Sequence, residues 1–142
     1  MEILLRISVI APPAGVVFRL QRGRWELVSP SMTTAKSISF DFEMSVRAGA
    51  EGEPVRLLGP FAQGPPSGRF VYVTAGKRAG QADSCWDRRA KVPLKDLSAA
   101  LIEKALGSPG SIIEAQIAGT ARDGGPAVAT VPLIGPWRII TP

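Results

Sequence analysis

The sequence predicts a mainly β domain, an antiparallel sandwich or partly closed barrel of about eight strands with one α-helix. Three observations predict it. Residues 37–47 alternate apolar and polar side chains without a break. Gly supplies 15 and Pro 13 of the 142 residues, which suits many short strands joined by turns. Only one segment carries helix signals at both ends, whereas a parallel doubly wound sheet needs a crossover helix for each strand pair.

The chain opens on a strand. Ile3, Leu5, Ile7 and Val9 recur with period two, which sets one face on a core. Pro12, Pro13 and Gly15 end it, and residues 16–21 form a second strand that turns around Gly23 into a short third, 25–28, closed by Pro30. In residues 37–47, Ile38, Phe40, Phe42, Met44 and Val46 point one way. Ser39, Asp41, Glu43, Ser45 and Arg47 point the other, as in a half-buried antiparallel strand. A polar loop, 48–54, and a short strand, 55–58, follow.

Three prolines and three glycines exclude residues 59–69 from regular structure. Residues 70–75 are a strand rich in β-formers. A long polar loop over 76–88 leads to a strand over 89–94, with Pro93 near its end. The helix is expected over 97–106, with Asp96 as N-cap, Gly107 as its stop and Pro109 beyond. Its buried stripe is Leu97, Leu101 and Ala105, with Leu94 leading in. Residues 112–119 and 127–133 make a hairpin around Asp123, Gly124 and Gly125. A turn over 135–137 precedes a last edge strand at Ile139 and Ile140. With no interdomain linker, residues 1–142 read as a single domain.

The missing chemistry excludes whole classes of function. The chain has no histidine, so Ser-His and Cys-His nucleophilic pairs are impossible. One cysteine cannot build a structural zinc site, and no phosphate-cradling glycine motif opens a helix. No cofactor is implied. Cys85 alone cannot form an internal disulfide, which suits a cytoplasmic protein. No apolar run approaches the ~20 residues of a membrane span. The apolar opening carries Arg6 inside it and no small-residue cleavage site after it, so it reads as a strand and not a signal peptide.

Charge is unevenly placed. The net charge is +5, and residues 69–91 alone hold +4 from Arg69, Lys77, Arg78, Arg88, Arg89 and Lys91 against Asp83 and Asp87. Such a segment favours an anionic partner, and it reads equally as a solvated basic loop. The candidate binding residues are Gln63, Arg69, Tyr72, Asp83, Trp86, Arg88, Arg89 and Lys91, from two loops and the strand between them. The arginines offer forked donors for carboxylate or phosphate, Trp86 and Tyr72 aromatic walls, and Gln63 a neutral hydrogen-bonding group. Arg88 and Arg89 are adjacent, so on a regular strand they take opposite faces and cannot both serve one pocket. Trp86 and Phe61 read alternatively as core plugs under long loops, and Cys85 as a small buried hydrophobe.

A second basic knot joins Arg19, Arg22 and Arg24 to Trp25. It lacks a recognition helix, and aromatic residues are 6% of the chain, which disfavours nucleic acid as a partner.

At residues 59–73 (GPFAQGPPSGRFVYV), 83–94 (DSCWDRRAKVPL) and 118–131 (AGTARDGGPAVATV), the chain resembles a family of small bacterial proteins known only as a domain of unknown function. The resemblance extends over nearly the whole chain and implies a bacterial, free-standing single domain. It assigns no catalytic residue or ligand.

The expected function is a non-catalytic binding domain for a small anionic ligand or a protein partner, with no membrane role. A second reading is a protein–protein module or homodimer built on an edge strand or sheet face. A third, the least supported, is an enzyme relying on Asp83, Cys85 or Tyr72.

Overall fold

Strand β1 (Glu2–Ile10) runs through the middle of the larger of two sheets, and its alternation decides what faces inward. Ile3, Leu5, Ile7 and Val9 are all buried. Beside it, β5 (Ser37–Arg47) pairs antiparallel, with Leu5 opposite Phe42 and Ile7 opposite Phe40, so the two apolar rows reinforce one core face. The structure is a computed structural model and describes residues 1–12, 16–47, 56–61, 70–77, 88–94, 97–118 and 137–141.

The larger sheet has the order β10-β9-β1-β5-β4, with β6 also paired to β5. Its remaining members are β4 (Met32–Thr33), β6 (Arg56–Leu57), β9 (Ile112–Ala118) and β10 (Arg138–Ile140). The smaller sheet has the order β3-β2-β7-β8. It comprises β2 (Val16–Arg22), β3 (Trp25–Leu27), β7 (Phe70–Lys77) and β8 (Arg88–Pro93), all paired antiparallel. Phe18, Leu20, Val71, Val73 and Val92 from this sheet join the β1 and β5 residues in one buried cluster. The described strands thus form two separate sheets packed face to face, a sandwich-like arrangement and not a closed barrel. Among the described residues, no helix is long and apolar enough to cross a membrane.

Trp25, Phe42 and Phe61 lock the sheets together. Trp25 meets Phe42 and Phe61 with ring centroids 5.2 Å away in each case, and Phe42 stacks on Phe61 at 5.7 Å. Of the two readings of Phe61, the core plug is what the fold contains. Its segment departs from the expectation of irregular chain, because Gly59–Phe61 closes one 3₁₀ turn. Gly59 starts that turn at φ 70°, a backbone angle that L side chains rarely adopt. At another junction, the Trp137 indole N–H donates to the Pro93 carbonyl at 2.9 Å, fastening the end of β8 beside the start of β10.

One pairing in this mainly antiparallel fold is parallel. β9 lies parallel to β1, with Leu5 beside Ile113 and Ile7 beside Ala115. The helix α1 (Ala99–Leu106) lies in the chain between β8 of the smaller sheet and β9 of the larger one, while β2–β8 also separate β1 from its parallel partner.

The helix begins two residues later than its sequence signals suggest. Ser98 is the N-cap, its hydroxyl accepting from the Leu101 N–H at 3.1 Å, in place of Asp96. Ile102 is its buried residue, while Leu101 and Ala105 pack partly against the core and Leu97 is buried just before the first turn. The expected strand over 127–133 and its turn at 123–125 lie outside the described residues. The short β4 has no counterpart in the sequence reading: two residues are too few to show a period.

Candidate functional site

The smaller sheet has a core face and an outward face, and strict alternation sorts its residues between them. On β2, Phe18 and Leu20 are buried, so Arg19 and Gln21 fall on the other side. On β7, Val71 and Val73 are buried, leaving Phe70, Tyr72 and Thr74 outward. On β8, Val92 is buried and Lys91 is exposed.

Register then aligns these residues into rows. Gln21 lies opposite Tyr72, and Tyr72 opposite Lys91. Arg19 lies opposite Thr74, and Thr74 opposite position 89. Arg19 and Lys91, from two basic segments far apart in the chain, therefore share one sheet face.

The contacts within this face are specific. Arg19 Nε donates to Thr74 Oγ1 at 3.1 Å, and its Nη1 lies 3.7 Å from Glu26 Oε1. Lys91 Nζ stands 5.1 Å from the centre of the Phe70 ring, a cation–π contact. The Phe70 and Tyr72 rings are 6.3 Å apart and tilted. At the end of the same sheet, Arg22 Nη1 donates to the Phe70 carbonyl at 2.9 Å.

Of the sequence-predicted residues, Tyr72 and Lys91 come together directly across the β7–β8 ladder. Arg88 and Arg89 lie in that ladder opposite Ala75 and Thr74. Gln63, Arg69, Asp83 and Trp86 lie outside the described residues, as does Cys85.

Sequence reasoning saw Arg19 only as part of a separate knot and passed over Gln21. Both were marked by the alternation with Phe18 and Leu20. What joins them to Tyr72 is a pairing between strands distant in the chain, which no local pattern announces. Trp25, grouped earlier with the arginines, turns inward to the aromatic cluster instead.

A second polar constellation lies on the outward side of the larger sheet. Glu114, buried on β9, accepts from Ser8 at one oxygen and from Gln116 and Arg138 at the other, each at 3.0 Å. Ser8 and Ser39 are also buried and share a 3.0 Å hydrogen bond. This carboxylate is saturated with donors, an arrangement suited to tying β1, β5, β9 and β10 together. It leaves little of Glu114 for a ligand.

Comparison with known proteins places the chain by family alone. Neither a search of curated proteins nor a search of solved structures returns a match. The family model that does match spans residues 3–140, nearly every element described above, and the chain accordingly belongs to the Family of unknown function (DUF5990).

Proposed function

We propose that the chain is a non-catalytic, cytoplasmic binding domain that takes an anionic group on the outward face of the smaller sheet. The observation that carries the reading is the β2–β7–β8 register, which sets Arg19, Gln21, Tyr72, Thr74 and Lys91 side by side. Lys91 is exposed and lies over the Phe70 ring, a contact it can exchange for an anion. Tyr72 and Gln21 supply neutral polar groups beside it. The cytoplasmic assignment is supported by the single cysteine.

A protein-binding sheet face has less support. Among the described residues the exposed large apolar side chains are Met1, Val28 and Met32, too scattered for an apolar docking strip.

The test is calorimetric titration with inorganic pyrophosphate at low ionic strength, comparing the parent protein with Lys91→Glu and Arg19→Gln. Binding that weakens in both variants while their melting temperatures hold supports the reading. Equal binding by all three proteins removes this face from consideration.

A further inference from the structure

The outward face of the smaller sheet combines two features that a simple anion site does not need together. Phe70 and Tyr72 stand two residues apart on the central strand β7, both half-buried, with rings 6.3 Å apart. Cations flank them on the neighbouring strands: Arg19 on β2 and Lys91 on β8. A carboxylate or a lone phosphate would engage the cations and leave the rings idle. A ligand carrying flat aromatic groups on a charged backbone uses both.

We propose that this face binds single-stranded nucleic acid, with Phe70 and Tyr72 stacking on bases and Lys91 and Arg19 contacting the backbone phosphates. The proposal rests on the anion-binding reading above and specifies its ligand. The sequence argued against nucleic acid for want of a recognition helix and of aromatic residues. A single strand requires neither a helix nor many rings. Unstacked bases splay onto a sheet and stack on aromatic side chains there, and two or three bases are a usual complement for such a face.

The geometry suits an open platform. Lys91 now caps the Phe70 ring at 5.1 Å, and its long exposed side chain can swing to a phosphate and leave that ring to a base. Gln21, directly across from Tyr72, offers an amide to a base edge. A duplex would keep its bases inside and away from both rings. Sequence discrimination is therefore expected to be weak, and single strands are preferred over double strands.

The experiment is fluorescence anisotropy with labelled oligothymidylate and oligouridylate, each about a dozen nucleotides long, at several salt concentrations. Heparin serves as a polyanion without aromatic groups. The parent protein should bind the oligonucleotides with an affinity that falls steeply with salt. Tyr72→Ala should weaken oligonucleotide binding about tenfold, Tyr72→Phe about twofold at most, and neither should change heparin binding. Lys91→Glu should weaken both ligands and lower the salt slope by about one. Phe70→Ala repeats the ring test should Tyr72→Ala fail to fold.

Oligonucleotide affinity indifferent to both ring substitutions overturns the proposal, as does equal loss of heparin and oligonucleotide binding in Tyr72→Ala. Lys91-dependent binding of pyrophosphate and heparin without any oligonucleotide binding overturns it too, and leaves the anion-binding reading in place. Failure of every anion to bind removes both.

Discussion

The Ser8 hydroxyl donates to Glu114 Oε2 at 3.0 Å, joining β1 to the buried end of a carboxylate 106 positions away in the chain. Since a serine hydroxyl has one proton, that bond fixes the direction of its neighbour. Ser39 must donate to Ser8, and a directed chain runs from Ser39 through Ser8 to Glu114. The other carboxylate oxygen takes Gln116 and Arg138.

This directed chain separates two substitutions at one position. In Glu114→Gln the new amide can keep its oxygen on Gln116 and Arg138 and turn its NH₂ to Ser8, which reverses the hydroxyl chain and takes the acceptor from one proton only, that of Ser39. The expected cost is about 1 kcal/mol. Glu114→Ala leaves the buried Ser8 hydroxyl and the Gln116 amide without their acceptor, and should cost about 3 kcal/mol. Urea unfolding of the two variants measures the difference. Equal costs would mean that charge, and not hydrogen-bond satisfaction, governs the network.

A neighbouring pair on the same sheet is worth less. Arg6 lies directly opposite Asp41 and grips it with both prongs, Nε to Oδ1 at 2.7 Å and Nη2 to Oδ2 at 3.0 Å. The hydrogen bond to Asp41 holds the Arg6 guanidinium above its ordinary range. Both side chains keep about a fifth to a quarter of their surface in water, at 21% and 24%, so solvent screens the attraction. A double-mutant cycle of Arg6→Ala and Asp41→Ala should give a coupling of about 0.5–1 kcal/mol, falling with added salt. Arg6→Lys should recover only part of it, because an ammonium cannot reproduce the fork.

The sheets were largely legible in the sequence. The apolar rows of β1 and β5 are visible as period two, and the residues named there, from Ile3 to Val46, are buried apart from Ile38, which packs partly against the core. Gly23 marks its turn because it sits at φ 57°. The helix was legible only to within a turn: Asp96 and Ser98 are both N-cap types, and which one caps depends on where Leu97 and Ile102 find the core. The candidate face was half legible. Tyr72 and Lys91 stood out in their segment, but period two cannot tell which distant strands become neighbours. Arg19 thus met Thr74 only through tertiary pairing. The buried state of Glu114 was hidden for the same reason, as its place in the pattern is that of an exposed strand residue.

At the start of β1, Glu43 and Glu2 form a carboxyl pair on the outward face. Glu2 is opposite Ser45 and Glu43 opposite Leu4, which makes the two acids diagonal neighbours. A hydrogen bond with Glu2, and its charge, hold the Glu43 carboxyl above the ordinary glutamate range. A raised carboxyl favours the folded state while it is protonated. That contribution is fully present below the unfolded-state value, about pH 4, and is lost as pH rises through the raised folded-state value. Glu43→Gln should therefore raise the melting temperature at pH 7, where the pair repels, and have little effect near pH 4. A melting curve series across pH checks it. An equal gain at both pH values would mean that the proton is not shared.

Two glycines at the end of the helix give opposite expectations for the same substitution. Gly107 caps the helix at φ −79°, ψ −5°, an ordinary right-handed conformation open to any residue. A Cβ there would meet the Glu103 carbonyl oxygen at 3.5 Å, normal van der Waals contact. Gly107→Ala should thus stabilise the protein by about 0.4–1 kcal/mol by narrowing the unfolded ensemble. Gly110 sits at φ 85°, in the left-handed region, just before Ser111 leads into β9. Gly110→Ala should cost about 1–2 kcal/mol. The residue that reverses the chain out of the helix is therefore Gly110, although Gly107 is the one its position in the sequence suggests. Chemical denaturation of both variants decides between them: a larger loss at position 107 than at 110 would contradict the backbone angles from which the assignment follows.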